Sequence, residues 1–223
     1  MILKEAILEE EKNKVKEFLK SFDLILDEVD MSLYLEENGN IIGTVSSFNY
    51  IIKCLAVSKD RNGENLASIL VEGIINKLIS KKIYSYQVFT KPNYKDVFTS
   101  LGFKELVSTN DVCMLEKGIS NIEDTISEIK KKITNNYGEI NEESDIASIV
   151  INANPITNGH VSLIENASKN HDLVLVFLLE EDKSLFSFKD RYSMAYISLQ
   201  RFDNVLLLPS TKYIISSLTF PSY

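Results

Sequence analysis

The chain has 223 residues, of which 44% are hydrophobic and 25% charged, a composition typical of globular protein. The length exceeds one average domain. A formal net charge of -8 argues against a general nucleic-acid binder, which needs basic patches, but leaves room for a local nucleotide site.

Three further features bound the class of protein. Residues 9–11 are acidic and interrupt the N-terminus before any signal-peptide core can form. No apolar run approaches the roughly 20 residues that a membrane-spanning helix needs. Cys54 and Cys113 both lie in apolar stretches, which favours buried free thiols over a disulfide. We therefore expect a cytoplasmic protein with no membrane partner.

The first part of the chain mixes strand-like runs with amphipathic helices. Asn38-Gly39-Asn40 is a strong hairpin signal between two such runs. The predicted elements are helix 9–22, strands 32–37, 41–50 and 51–57, helix 65–80, strand 83–90, helix 93–101 and strand 112–116. This order predicts a mixed α/β domain over residues 1–118, with a partly antiparallel sheet.

The next segment, residues 119–144, is more polar. Ile122, Ile126, Ile129 and Ile133 recur at helical spacing, so we predict a connecting helix over 119–136 and then a loose segment. From residue 145 the pattern alternates as strand 146–151, helix 161–170, strand 173–178, helix 189–202 and strand 205–208. Alternating elements of this length imply a parallel, Rossmann-like sheet in a second domain, 145–223.

Residues 148–167, SIVINANPITNGHVSLIENA, are the firmest functional signal. A buried strand leads into a loop and then a helix, and in such sheets ligands bind at the carboxyl ends of the strands. The start of the helix offers free N–H groups and a positive dipole end, which suit phosphate. Gly159 lets the backbone approach a ligand closely. The sequence therefore predicts a phosphate-binding strand–loop–helix.

Thr157 and His160 are the predicted catalytic residues of this loop. They are three positions apart, so in a helical first turn they point to the same side and contact adjacent phosphoryl oxygens. His160 would donate a hydrogen bond to the charge that develops as pyrophosphate leaves. The structural alternative is that Thr157 or Asn158 only caps the helix and that His160 is a surface residue. The predicted nucleotide-binding residues here are Asn152, Asn154, Pro155, Ile156, Thr157, Gly159 and His160.

The run NPITNGH matches the nucleotidylyltransferase signature Thr/His-x-Gly-His, and the chain more narrowly resembles citrate lyase ligases. The narrower resemblance rests on residues 181–186 (EDKSLF) with Arg191, on residues 213–223 (YIISSLTFPSY) and on the preceding domain. It implies that Arg191 neutralises phosphate charge and that Ser216, Ser217 and Thr219 extend the nucleotide site. The family's domain continues past Tyr223, so we expect this chain to be truncated and weakly active or inactive as a ligase.

The first domain resembles GNAT acetyltransferases. Leu55-Ala56-Val57, residues 58–67 and a long helix have the layout that holds the diphosphate of coenzyme A, and residues 94–103 (YKDVFTSLGF) resemble a later helix and turn. The residues implied to hold a CoA-like group are Leu55, Val57, Arg61, Asn62, Gly63, Glu64, Asn65 and Ala67. Asn65 replaces the usual glycine, and asparagine adopts the left-handed region at some cost.

Acetyl transfer by this domain alone is an open question. Glu64 and Tyr94 are candidates for a general base by residue type only. A fold kept as a docking platform is therefore an alternative to a catalytic one.

The resemblance implies a two-step reaction. Acetate and ATP would form acetyl adenylate, and the acetyl group would pass to the thiol of the CoA-like prosthetic group on the acyl carrier subunit of citrate lyase. Mg²⁺ is expected with ATP, held by phosphate oxygens and water, and no built-in metal site is predicted. The alternatives are a CoA-dependent GNAT N-acetyltransferase, a nucleotidylyltransferase acting on another small molecule, and a non-catalytic binding module.

Overall fold

The computed structural model describes residues 1–61, 65–180 and 185–214. The chain divides into two compact units, Met1–Asn121 and Ile122–Tyr223. Each unit has hydrophobic clusters of its own. Among the described helices, none combines the length and the apolar character that crossing a membrane requires.

The first unit is a mixed α/β domain built on one sheet. Its elements are β1 (Ile2–Glu5), α1 (Glu9–Lys20), β2 (Met31–Glu37), β3 (Asn40–Phe48), β4 (Ile51–Val57), α2 (Leu66–Ser80), β5 (Ser85–Thr90), α3 (Lys95–Ser100), β6 (Lys104–Ser108) and β7 (Cys113–Gly118). The described strands form a seven-stranded sheet in the order β1-β2-β3-β4-β5-β7-β6. All neighbours are antiparallel except β4 and β5, which confirms the predicted mixed sheet.

Both faces of this sheet are covered. Alternate residues of the strands, such as Leu33 and Val45, face one side and pack against α2 and α3 in the main core. Tyr34 and Ala56 face the other side and pack against Val15 and Leu19 of α1. Alternate residues of the strands are thus buried on opposite faces of the sheet.

Two irregularities open the sheet at the end of β4. Ser46 pairs with Lys53 and Thr44 pairs with Ala56, so one residue of β3 opposes Cys54 and Leu55 in a β-bulge. Cys54 has a left-handed φ of 54° at this bulge. Beyond Ile52, β4 has no further register partner on β5. The two strands therefore separate beyond Ile52.

Most predicted elements of the first unit are confirmed with small shifts at their ends. The hairpin is also confirmed, since Asn38 and Gly39 both have positive φ between β2 and β3. Two strands, β1 and β6, are absent from the prediction. Both are short edge strands whose residues are largely exposed, so they lack the apolar alternation that reveals a strand.

The second unit is a parallel α/β fold. Its described elements are α4 (Ile122–Tyr137), β8 (Ile146–Ile151), α5 (Asn158–Asn170), β9 (Leu173–Leu178), α6 (Phe188–Leu199) and β10 (Val205–Pro209). The strands lie in the order β10-β9-β8, and both pairings are parallel. This arrangement confirms the predicted parallel sheet.

The central strand β9 is apolar on both faces because both are covered. Val174, Val176 and Leu178 pack on one side against Ile164 of α5 and Ala195 of α6. The alternate residues of β9 form a second cluster with Ile133 of α4. The helix over 122–137 thus packs against this sheet.

The two cysteines are free, as predicted. Cys113 is buried in the main core of the first unit, and Cys54 is half-buried at the β4 bulge. Burial raises the pKa of the Cys54 thiol to about 11. At neutral pH this thiol is therefore protonated and a poor nucleophile.

Candidate functional site

The loop after β8 lies at the carboxyl edge of the parallel sheet. Ile151, Leu178 and Pro209 are in register across the three strands, so the segments that follow them begin at the same edge. Helix α5 begins at Asn158, three residues earlier than predicted, so Gly159 and His160 lie in its first turn. The first N–H groups of a helix have no intrahelical acceptor and are available to an anion.

Thr157 and His160 are in direct contact. The Thr157 backbone N–H donates to His160 Nδ1 at 3.1 Å, and Thr157 Oγ1 lies 2.8 Å from the same nitrogen. A backbone N–H can only donate, so Nδ1 is an acceptor and the neutral ring carries its proton on Nε2. Nε2–H is thereby directed away from Thr157 as a donor. The same contacts therefore place Thr157 at the start of the helix and fix the orientation of the His160 ring.

Gly159 leaves open space at the start of α5. Among the described residues, a methyl group added to its Cα would meet only Thr157 Oγ1, at an ordinary contact distance of 3.7 Å. The protein itself therefore does not require glycine here. The space beside this backbone is available to a bound group.

Arg191 lies in the first turn of α6 and is fully buried. Its Nη1 donates to the backbone oxygen of Asn152 at 2.8 Å and to Asn152 Oδ1 at 3.2 Å. Its Nε donates to the Phe186 carbonyl at 3.2 Å. The guanidinium therefore binds the loop after β8 and the loop after β9.

The remaining predicted loop residues differ in exposure. Asn154 and Pro155 are exposed, and Asn154 Oδ1 accepts a hydrogen bond from the Phe186 N–H. Ile156 is half-buried against the core of this unit. Ser216, Ser217 and Thr219 lie outside the described residues, as do residues 181–184.

In the first unit, five of the eight residues assigned to a CoA-like group line one open cavity of about 480 Å³. They are Leu55, Val57, Arg61, Asn65 and Ala67. Asn62, Gly63 and Glu64 lie outside the part of the chain that the structure describes. Tyr94, one of the two general-base candidates, also lines the cavity. The described lining carries Lys59 and Arg61 but no carboxylate.

Two of these residues have distinctive geometry. Asn65 precedes α2 with φ 58° and ψ 20°, so it does adopt the left-handed conformation that glycine usually supplies. Arg61 Nη1 lies 2.5 Å from Glu37 Oε2 at the end of β2. This hydrogen bond with Arg61 lowers the pKa of Glu37, so the ion pair is formed at neutral pH.

Sequence reasoning missed several residues of these sites. Lys59, Ser68, Phe22, Val97 and Ser100 also line the cavity of the first unit. The sequence does contain a signal for one side of the cavity. It is the three-residue spacing of Tyr94, Val97 and Ser100, which places their side chains on the same side of a helical segment.

In the second unit, the prediction missed Ala153 and Ser210. Ala153 is buried with φ 44°. Buried Ser210 accepts a hydrogen bond from the Glu180 N–H at 3.2 Å. No periodic pattern marks either residue.

A metal-ligand cluster is not found among residues 1–61, 65–180 and 185–214, where no three His, Cys, Asp or Glu side chains are placed to hold an ion.

Comparison with known proteins points to one family. Residues 146–223 match the model for the citrate lyase ligase C-terminal domain. A [citrate [pro-3S]-lyase] ligase of Escherichia coli K12 is 30% identical over 94% of this chain and 58% of the relative. Relatives of the same name from Klebsiella pneumoniae and Haemophilus influenzae are 28% and 31% identical, over 65% and 61% of their lengths. The chain thus spans less than two thirds of each relative's length.

Solved structures resemble about half of the chain. An aminoglycoside 6'-N-acetyltransferase complexed with coenzyme A is 12% identical over 54% of this chain and 98% of that chain, with a TM-score of 0.46. A GNAT-family acetyltransferase from Staphylococcus aureus Mu50 is 13% identical over 53% of this chain and all of that chain, with a TM-score of 0.44.

Proposed function

This chain is a relative of the citrate lyase ligases, and from that premise we propose that it binds ATP at the start of α5 to activate acetate. The acetyl group is destined for the thiol of a CoA-like prosthetic group on the acyl carrier subunit of citrate lyase. The observation that carries this proposal is the contact between Thr157 and His160 Nδ1, which leaves Nε2–H as a donor beside the N–H groups of α5.

Three properties of the second unit support an ATP site. The helix start offers free N–H donors and the positive end of its dipole to phosphate oxygens. The space beside Gly159 allows phosphate to approach the backbone. The site lies at the carboxyl edge of a parallel sheet, where ligands of such folds bind.

The proposed reaction has two transfers. An acetate oxygen attacks the α-phosphorus of ATP, the bond from that phosphorus to the bridging oxygen breaks, and pyrophosphate leaves. The thiolate sulfur of the prosthetic group then attacks the acyl carbon, and AMP leaves. Nε2–H of His160 would stabilise negative charge on the phosphoryl oxygens during the first transfer.

The cavity of the first unit is the proposed site for the CoA-like group. Leu55, Val57 and Val97 offer apolar contact to a pantetheine-like arm, and Lys59 and Arg61 offer positive charge to a diphosphate. The start of α2 adds N–H donors. The first unit would bind the CoA-like group in this cavity whether its role is docking or catalysis.

Magnesium would accompany the nucleotide. An ion held by ATP phosphates and water needs few ligands from the protein. Bound in this way, Mg²⁺ would neutralise phosphate charge.

The test has two stages. Calorimetry should show that the wild-type chain binds Mg·ATP and that His160→Ala weakens binding about tenfold or more, the loss expected for a charge-assisted hydrogen bond. Acetate-dependent exchange of pyrophosphate into ATP reports the first transfer alone. Even in a chain that is weakly active as a ligase, this exchange should be detected in the wild type and fall at least about 100-fold in His160→Ala.

Other outcomes identify the alternatives. Tight binding of acetyl-CoA without ATP binding would indicate a CoA-dependent N-acetyltransferase. Exchange that needs a different small-molecule substrate would indicate another nucleotidylyltransferase. Unchanged ATP binding in His160→Ala would contradict the proposed role of the histidine.

A further inference from the structure

The buried arginine of α6 has a geometry that differs from that of a phosphate ligand. Arg191 is 0% exposed, although a guanidinium is charged at all physiological pH values and is stabilised inside a protein only by close polar partners. Its Nη1 and Nε contact two segments of the protein itself. The arginine is therefore placed to hold loops together.

Hydrogen bonds at and near Arg191 join the loop after β8 to the loop that precedes α6. They hold both ends of the short segment 152–154. Nη1 binds both oxygens of Asn152, and Nε binds the carbonyl of Phe186. The N–H of the same Phe186 donates to Asn154 Oδ1 at 3.2 Å. Asn152 and Asn154 are thus both tied to the loop that precedes α6.

The residue between these two asparagines has a costly backbone conformation. Ala153 is 1% exposed and has a φ of 44°, which L-residues with a Cβ avoid. Such a conformation persists when surrounding contacts fix it. Here the contacts are the bonds at Asn152 and Asn154 and the packing of the Ala153 methyl group in the core.

We propose that Arg191 is a positioning residue that sets the path of the loop from Asn152 to Thr157, and thereby places Thr157, His160 and the start of α5 for phosphate. This assignment rests on the proposed ATP site but gives Arg191 a different task from direct charge neutralisation. A lysine cannot replace it, because one ammonium group cannot reproduce the planar fork that reaches both loops.

The experiment measures Mg·ATP affinity by calorimetry over a range of salt concentrations. The variants are Arg191→Lys and Arg191→Gln, with Arg201→Gln as the matched control because Arg201 is a largely exposed arginine that follows the same helix. We expect both Arg191 variants to lose about tenfold to 100-fold in affinity, since small misplacements of a binding group have effects of this size. The salt dependence of binding should stay as in the wild type, and Arg201→Gln should bind normally.

Two results would overturn the inference while leaving the ATP site intact. In the first, Arg191→Lys binds nearly as well as the wild type, while Arg191→Gln is weaker and has a shallower salt dependence, as removal of a direct charge contact predicts. In the second, both variants bind ATP normally and show only a lower melting temperature. A wild-type chain that does not bind ATP would instead reject the proposed function.

Asn154→Ala keeps the inference testable if the Arg191 variants do not fold. Asn154 is exposed, and among the described residues the hydrogen bond that its side chain makes is the one from the Phe186 N–H. We expect weaker ATP binding by Asn154→Ala alone. Where Arg191→Lys does fold, the combined effect of the two substitutions should be smaller than the product of their fold-changes, because both act on one network. Normal binding by Asn154→Ala, or a fully multiplicative effect, would contradict the proposal.

Discussion

The first turn of α5 combines a helix cap and a proposed phosphate-binding group in one pair of residues. Thr157 is the N-cap residue that precedes the helix, and its backbone N–H fixes the ring of His160 through Nδ1. A cap in this position stabilises the helix start. The structural alternative and the functional prediction for these residues are therefore compatible, because the cap is what orients Nε2–H.

Gly159 offers a direct test of close phosphate approach. In Gly159→Ala the added methyl has room, and alanine favours a helix by about 1 kcal/mol over glycine, so we expect an unchanged or higher melting temperature. Mg·ATP affinity should nevertheless fall about tenfold or more as the methyl displaces phosphate from the backbone. Calorimetry and thermal melting separate the two effects.

The matched control for this substitution is Ser162→Ala, an exposed position of the same helix. This variant should bind ATP as the wild type does. Normal ATP binding by Gly159→Ala would show that phosphate does not lie against this part of the backbone.

At the scale of secondary structure elements, two side chains cover the edge of β10 that faces away from β9 and pairs with no strand among the described residues. Asn204 O accepts a bond from the Val174 N–H of β9, so by strand alternation Val205 and Leu207 direct their carbonyls to the other side. Tyr137 of α4 donates to Val205 O at 2.9 Å, and Tyr192 of α6 donates to Leu207 O at 3.2 Å. An edge strand with free acceptors promotes pairing with other chains, and the two hydroxyls reduce that tendency.

Removing both hydroxyls should therefore promote self-association. We expect Tyr137→Phe/Tyr192→Phe to lose about 1 kcal/mol of unfolding free energy for each hydrogen bond and to form larger species at high concentration. Burial raises the pKa of both tyrosines, so the wild-type hydroxyls remain donors at neutral pH. Light scattering after size exclusion and urea unfolding provide the two measurements.

Tyr196→Phe is the control for the double variant, because Tyr196 is a largely exposed tyrosine of the same helix α6. This control should remain as monodisperse as the wild type. If the double variant also does so at every concentration, the hydroxyls do not protect the edge.

At the scale of the whole chain, the two units have separate cores and separate candidate sites. The cavity beside α2 belongs to Met1–Asn121, and the start of α5 belongs to Ile122–Tyr223. The proposed reaction assigns ATP to one unit and the thiol-bearing group to the other. Each ligand should therefore stabilise the unit that binds it.

Hydrogen exchange of the whole chain tests this division. Mg·ATP should slow amide exchange at residues 152–161, and coenzyme A, as a probe for the CoA-like group, should slow exchange at residues 55–61 and 65–68. His160→Ala should reduce only the protection by ATP. Protection of residues 152–161 by coenzyme A alone would contradict the assignment of the two sites.

The sequence by itself determined the order of the main helices and strands, the Asn38-Gly39 hairpin and the strand–loop–helix around Thr157 and His160. These features depend on periodicity and turn chemistry within a few neighbouring residues, so the chain carries them locally. The left-handed conformation of Asn65 could also be predicted locally, because few residue types tolerate that conformation and asparagine is one of them.

Only the tertiary structure decided which distant residues meet. It paired the exposed strand β1 with β2, placed the Cys54 bulge beside the opening between β4 and β5, and buried Arg191 behind Asn152. Strand pairing depends on partners far along the chain, and the direction of a long side chain depends on how elements pack. Sequence spacing therefore located the phosphate loop, but only packing showed what holds it in place.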